Sequence, residues 1–145
     1  MDISTFVNAF AAAPAPTPTP TPTPAPTPAP TPVPESLNHK PPEVNFGKVK
    51  VGNAKLLTLT LSNAAKNGPP ITFGSPLATV PATSPQEFEL SANSNNCPTQ
   101  LLPKQKCKLI LQFGPASTGP KSSAVTIFDN ASNAPQVIQL QGTGK

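Results

Sequence analysis

The chain has 145 residues, 23 of them Pro, and carries a net charge of +4 with only 11% charged and 5% aromatic residues. Trp, Tyr and Arg are absent, and no Ser-His-Asp set is recognised around the single His, which leaves little for an enzyme to work with. No apolar run approaches the ~20 residues that span a bilayer, so a transmembrane helix is excluded.

Residues 1–13, MDISTFVNAFAAA, hold a short apolar run ending in three alanines. This resembles the end of a truncated signal peptide, although the basic start is missing and Asp2 is acidic. A Pro/Thr-rich linker follows over residues 14–40. Every second residue from Pro14 to Pro34 is Pro. Each intervening residue is therefore pushed out of the α region, and half the backbone donors are missing. Polyproline II is what remains, at ~3.1 Å per residue and on the order of 65 Å for the whole tract. The tract serves as a semi-rigid stalk, and its six Thr are candidate sites for O-linked sugars.

Residues 41–145 form one domain, and their dominant period is two. Short strands are predicted at Val44–Phe46 and Val49–Val51. Leu57, Leu59 and Leu61 then alternate with Thr58, Thr60 and Ser62. Two more short strands fall at Ile71–Phe73 and Phe88–Ser91. Cys107, Leu109, Leu111 and Phe113 share one strand face, opposite Lys106, Lys108 and Gln112. Val125 and Ile127 alternate with Thr126, and Ile138 and Leu140 with Gln139 and Gln141. Such alternation means strands with one buried face. Six to eight of them, broken by turn clusters such as DNASNAP, read as an all-β sandwich of antiparallel sheets. The core is expected from aliphatics and from Phe46, Phe73, Phe88, Phe113 and Phe128.

Candidate chemistry is sparse. Cys97 and Cys107 fit one disulfide closing a short loop, and so an oxidising compartment. The other reading is two reduced, half-buried thiols in a cytosolic relative. Zinc would need two further ligands, and the lone His39 is assigned to the linker. No metal or other cofactor is expected. Glu87 and Glu89 flank Phe88 and would project to one side of a strand ~7 Å apart, a spacing compatible with glycoside hydrolysis. No Trp or Tyr platform accompanies them, so no catalytic residue is assigned and an enzyme is not expected. Asn130-Ala131-Ser132 is a lone glycosylation sequon. Residues 35–145 hold ten Lys against five acids, and Lys104, Lys106 and Lys108 make a local basic stripe. Without Arg or stacking aromatics, this reads as a solvated face and not as a nucleic-acid site. Gly52, Gly119 and Gly142 are expected at turns or bulges that need positive φ.

The domain resembles the Ig-like repeat of the ASPM–SPD-2–Hydin (ASH) family, in its bacterial choice-of-anchor D form. The residues that carry the likeness are VNFGKVKVG, Leu57 to Asn63, Phe88, the Cys97 to Cys107 loop with Leu102-Pro103, Phe113-x-Pro115 with Gly119, and the terminal Leu140-x-Gly142-Thr143-Gly144. Gly114 and the pair Lys104-Gln105 depart from the usual pattern. The resemblance implies a seven-stranded Ig-like sandwich without catalytic residues, and the family's motif defines no functional site.

Three functions follow in order. The first is a non-catalytic extracytoplasmic module on a Pro/Thr stalk, secreted or at the cell surface. It would act as a spacer, or in adhesion and protein binding beside neighbouring repeats. The second is an intracellular ciliary or cytoskeletal protein-binding module with reduced cysteines. The third is an accessory carbohydrate-binding domain of a secreted enzyme, which the lack of Trp and Tyr disfavours.

Overall fold

A computed structural model describes residues 13–15, 32, 34–83, 85–91 and 96–145. The chain divides into two units, Met1–Pro30 and Thr31–Lys145. Of the first, the described residues 13–15 are exposed and lie in no helix or strand. Residues 1–12 of the apolar segment and most of the Pro/Thr tract thus fall outside the described residues.

In the second unit the alternating segments become long strands: β3 (Lys55–Asn63), β7 (Lys106–Phe113), β8 (Gly119–Asp129) and β9 (Gln136–Gly144). β4 (Ile71–Thr79) is as long, and shorter strands complete the set: β1 (Leu37–Lys40), β2 (Val44–Val49), β5 (Phe88–Leu90) and β6 (Gln100–Leu101). The first sheet has the order β1-β3-β7-β5 and the second β2-β9-β8-β4-β6. Between them lie Leu59, Leu61, Leu109, Leu111, Val125, Ile127, Ile138 and Leu140, all essentially inaccessible to solvent. The period-two pattern places each of them inward, as a half-buried sheet requires.

The all-β sandwich matches the sequence pattern, with several differences in detail. Nine strands appear among the described residues, against about seven predicted. β1 occupies Leu37–Lys40, inside the stretch assigned to the linker, and Pro34 is already buried. Leu37 supplies the reason, because its side chain is 1% exposed and enters the core. Val49–Val51 is not a separate strand, since β2 runs through Val49 and Val51 sits in a turn. The ladders are antiparallel except one: β2 pairs with β9 in parallel, Val44 opposite Leu140.

Phe128 is 40% exposed and outside the core. It follows Ile127 on β8 and therefore points outward, as the alternation demands. The other Phe residues behave as predicted. Phe46 from the second sheet meets Phe88 and Phe113 from the first, with ring centroids 5.9 and 5.5 Å away, and Phe88 stacks on Phe113 at 4.5 Å. Aromatic pairs at such separations add to the stabilisation from burial alone.

Gly52 and Gly119 do have positive φ, +83° and +106°. Gly142 is different. It lies within β9 above the Phe113 ring, where an added Cβ would sit 2.4 Å from Phe113 Cε1. Glycine is required there for close approach, not for a turn. Phe113 cannot give way cheaply, because Phe46 and Phe88 hold it. Gly142→Ala is expected to destabilise the domain by about 1–3 kcal/mol, read as a lowered midpoint in urea denaturation; an unchanged midpoint would show that the ring has room to move.

Candidate functional site

Cys97 and Cys107 are joined, with S–S 2.05 Å and Cα atoms 4.8 Å apart. The bridge closes a loop that passes from one sheet to the other and back. Asn96 lies beside β7: its amide donates to the Lys108 carbonyl at 3.3 Å, and its Oδ1 accepts from the Lys108 amide at 2.7 Å. The chain then crosses to the second sheet, where β6 pairs with β4, Leu101 opposite Ile71. It returns through a tight turn in which the Gln105 amide donates to the Leu102 carbonyl. Lys104 takes φ +66° in that turn, the conformation a glycine would adopt without strain. Lys104 is therefore a turn residue, and only Lys106 and Lys108 of the basic stripe lie on the strand.

The returning loop is held by Asn63, a polar residue 1% exposed at the end of β3. Its side-chain amide donates to the Leu101 carbonyl at 3.0 Å, and its Oδ1 accepts from the Ala65 amide at 3.1 Å. Its backbone amide donates to the Gln105 carbonyl, and its own carbonyl accepts from the Lys104 amide. A buried polar group is tolerated when its bonds are made, and these are. Asn63→Ala would strand a buried carbonyl and a buried amide. The expected loss is about 1–3 kcal/mol, measured by chemical denaturation with the disulfide intact; a loss below the measurement error would remove Asn63 from this role.

Asn133 holds the start of β1 in the same way. Its Oδ1 accepts from the Leu37 amide at 3.0 Å, and its Nδ2 donates to the Leu37 carbonyl at 3.1 Å. One side-chain amide thus imitates a neighbouring strand and covers this edge. Ser36 and Ser132 hydroxyls bond alongside at 3.2 Å. Another edge is blunted at β2, where Lys55 Nζ donates to the Phe46 carbonyl at 2.7 Å. Sequence reasoning missed Asn63 as a hub and Asn133 altogether. The DNASNAP cluster signals a turn but not a partner 96 residues away.

Glu87 and Glu89 do not form a catalytic pair. Glu87 precedes β5 and binds Lys121 Nζ on β8 at 3.0 Å. The same oxygen accepts from the Ala116 amide at 2.9 Å. Glu89 faces outward on the first sheet and accepts from Gln112 Nε2 at 2.6 Å. Each carboxylate is committed to a different structural partner. His39 lies half-buried in β1, not in a linker, with Nδ1 3.1 Å from the Pro41 carbonyl. Asn130 of the sequon is exposed, and its Oδ1 accepts from the Thr72 amide at 2.7 Å. Among the described residues no group of three His, Cys, Asp or Glu is placed to hold a metal ion.

Two carboxyls shift in opposite directions. Burial pushes Glu87 up, but the Ala116 amide and the Lys121 ammonium more than reverse this, and its pKa falls below the usual value. Its contribution is present above the unfolded pKa near 4.3 and is lost as pH drops through the folded value. Solvent screening at this rim holds the pair to roughly 0.2–1 kcal/mol. Asp129 is raised by burial, which the Ala131 amide and Gln136 only partly offset. Its Oδ2 is buried without a hydrogen-bond partner. Deprotonated Asp129 is therefore a cost at neutral pH that vanishes in acid. Asp129→Asn should raise stability at pH 7 and lose that advantage below the carboxylate range, whereas Glu87→Gln should lower stability at pH 7 and flatten the acid limb. Denaturation midpoints across pH check both; the same sign for the two variants at pH 7 would refute the assignment.

The committed carboxylates, the stapled crossing loop and the two-layer sheet define an Ig-like, PapD-like sandwich whose polar residues serve the fold. The chain belongs to the ASH family (abnormal spindle-like microcephaly-associated, ASPM-SPD-2-Hydin), whose profile matches residues 30–137. Membership makes the domain a protein-interaction module of a generally non-catalytic kind. No curated protein matches the chain in sequence. Among solved structures, it is similar to the ASH/PapD-like domain 7 of human CEP192, with 12% identity and TM-score 0.58 over 88% of this chain and 98% of that one. A Porphyromonas gingivalis protein of unknown function shares 16% identity at TM-score 0.59, over 83% of this chain and half of that one. The VesB protease of Vibrio cholerae shares 15% identity at TM-score 0.57, over 74% of this chain. This chain spans about a third of the protease's length, 31%. At these identities the likeness is one of fold.

Proposed function

We propose that the chain is a non-catalytic extracytoplasmic module, an Ig-like sandwich over residues 41–145 with β1 added at its start. The Pro/Thr linker before it acts as a stalk, and the whole serves as a spacer or adhesion element of the choice-of-anchor D type. The observation that carries this reading is the Cys97–Cys107 bridge. It staples a segment that bonds to both sheets, where a reducing compartment would leave two thiols. A Pro/Thr tract in front of such a domain fits a stalk that holds it away from a surface.

Thiol counting on protein recovered from its own compartment tests the location. The extracytoplasmic reading expects no free thiol before reduction and two after it. Two free thiols before reduction would favour the intracellular ciliary or cytoskeletal reading, which family membership also accommodates. Protease treatment of intact cells adds a second check, because a surface domain is cleaved and an internal one is protected.

A further inference from the structure

We infer that the outer face of the first sheet is a docking surface for an acidic polysaccharide, a linear polyol with repeated carboxylate or sulfate groups. The cross-strand register places Lys40, Thr60 and Lys108 in one row, and Asn38, Ser62 and Lys106 in the next. Residues directly opposite share a face. Sheet spacing sets Lys40 and Lys108 roughly 10 Å apart across two strands, and Lys106 and Lys108 roughly 7 Å apart along one. All three lysines are exposed, while Thr60 and Ser62 lie half-buried between them. A concavity of about 410 Å³ is lined by Asn38, His39, Lys40, Thr60, Ser62 and Lys106.

No carboxylate among the described residues forms an ion pair with these lysines, although Glu35 and Glu43 flank β1. Among the described residues the ion pair joins Lys121 to Glu87, at another part of the molecule. Glu89 shares the face, but it sits opposite Gln112, four residues along β7 from Lys108, and is bonded there. Three ammonium groups without paired carboxylates create a local positive field that attracts an anion.

The chemistry between the lysines narrows the occupant. An acidic polypeptide needs buried apolar or aromatic anchors to dock; this patch offers Asn, His, Thr and Ser. A single-stranded nucleic acid needs stacking platforms and Arg; the chain has no Trp, Tyr or Arg. Lysines act as point charges without the fixed fork of Arg. They suit flexible anionic groups repeated along a chain, and the hydroxyls and amide between them suit sugar hydroxyls; because charge and not ring stacking holds such a polymer, the lack of Trp and Tyr that disfavours neutral-sugar recognition does not bear on this face. The inference presupposes the extracytoplasmic reading, where such polymers are met. Its test uses purified full-length chain, so its failure leaves the thiol count untouched.

Binding is measured at low salt to heparin, polygalacturonate, poly-glutamate and single-stranded DNA. The wild type is expected to bind the two polysaccharides more tightly than the other two polymers. The variant Lys40→Gln/Lys106→Gln/Lys108→Gln should weaken polysaccharide binding by about tenfold or more. The charge-matched control Lys48→Gln/Lys50→Gln/Lys66→Gln should weaken it by less than about twofold. Thr60→Glu, which sets a negative charge inside the patch, should abolish it with the melting temperature unchanged. Three results overturn the proposal: no binding to either polysaccharide, equal losses in the two triple variants, or equal or tighter binding of poly-glutamate or DNA.

Discussion

The fold depends on one buried side-chain amide. Asn63 ends β3, and from there its four polar groups hold Ala65, Leu101, Lys104 and Gln105. Those bonds fix the crossing loop, the loop carries β6 to the second sheet, and Cys107 returns it to β7 next to Cys97. The disulfide limits where the loop can go, and Asn63 decides where within those limits it rests. An aliphatic residue at this position would bury as well and keep the backbone bonds to Lys104 and Gln105, but it would leave the Leu101 carbonyl and the Ala65 amide unpaired in a dry place. Polar specificity at one point thus positions the crossing loop over a core that has no Trp or Tyr.

A second constraint acts inside the core. Phe46, Phe88 and Phe113 bring the two sheets into register at one end, and Gly142 leaves the hollow into which Phe113 fits. Small beside large across the interface is how a sandwich reaches close packing without strain. Sheet separation, ring geometry and the glycine of β9 are therefore one arrangement.

The long strands were legible because their pattern is local. β3, β7 and β9 alternate along most of their length, β8 shows the pattern only at Val125-Thr126-Ile127, and the core follows from which phase is apolar. Even Phe128 was decided by that phase, and its aromatic character was the misleading cue. β1 and β6 were not legible. LNHK has one apolar residue and sits beside prolines, and β6 has two residues, so neither shows a period. The parallel pairing of β2 with β9 joins segments about a hundred residues apart, and nothing within either marks the direction. Among the candidate sites, the cysteines announced themselves by number and spacing. Asn63 and Asn133 did not, because an asparagine in a turn cluster looks the same whether it caps its own loop or a strand 96 residues away. The glutamates erred the other way: their spacing hinted at chemistry, and their partners on other strands absorbed it.

The Asn133 clamp has a mechanical meaning. At Leu37 the backbone amide and carbonyl are both held by the Asn133 side chain of the β8–β9 turn, and the rest of β1 is laid against β3. A pull delivered along the axis of β1 would strain these bonds side by side, in shear, instead of peeling them away in succession. Bonds loaded in parallel share the force. The N-terminal edge of the domain thus carries a grip beyond its sheet pairing, and unravelling from that end must break both.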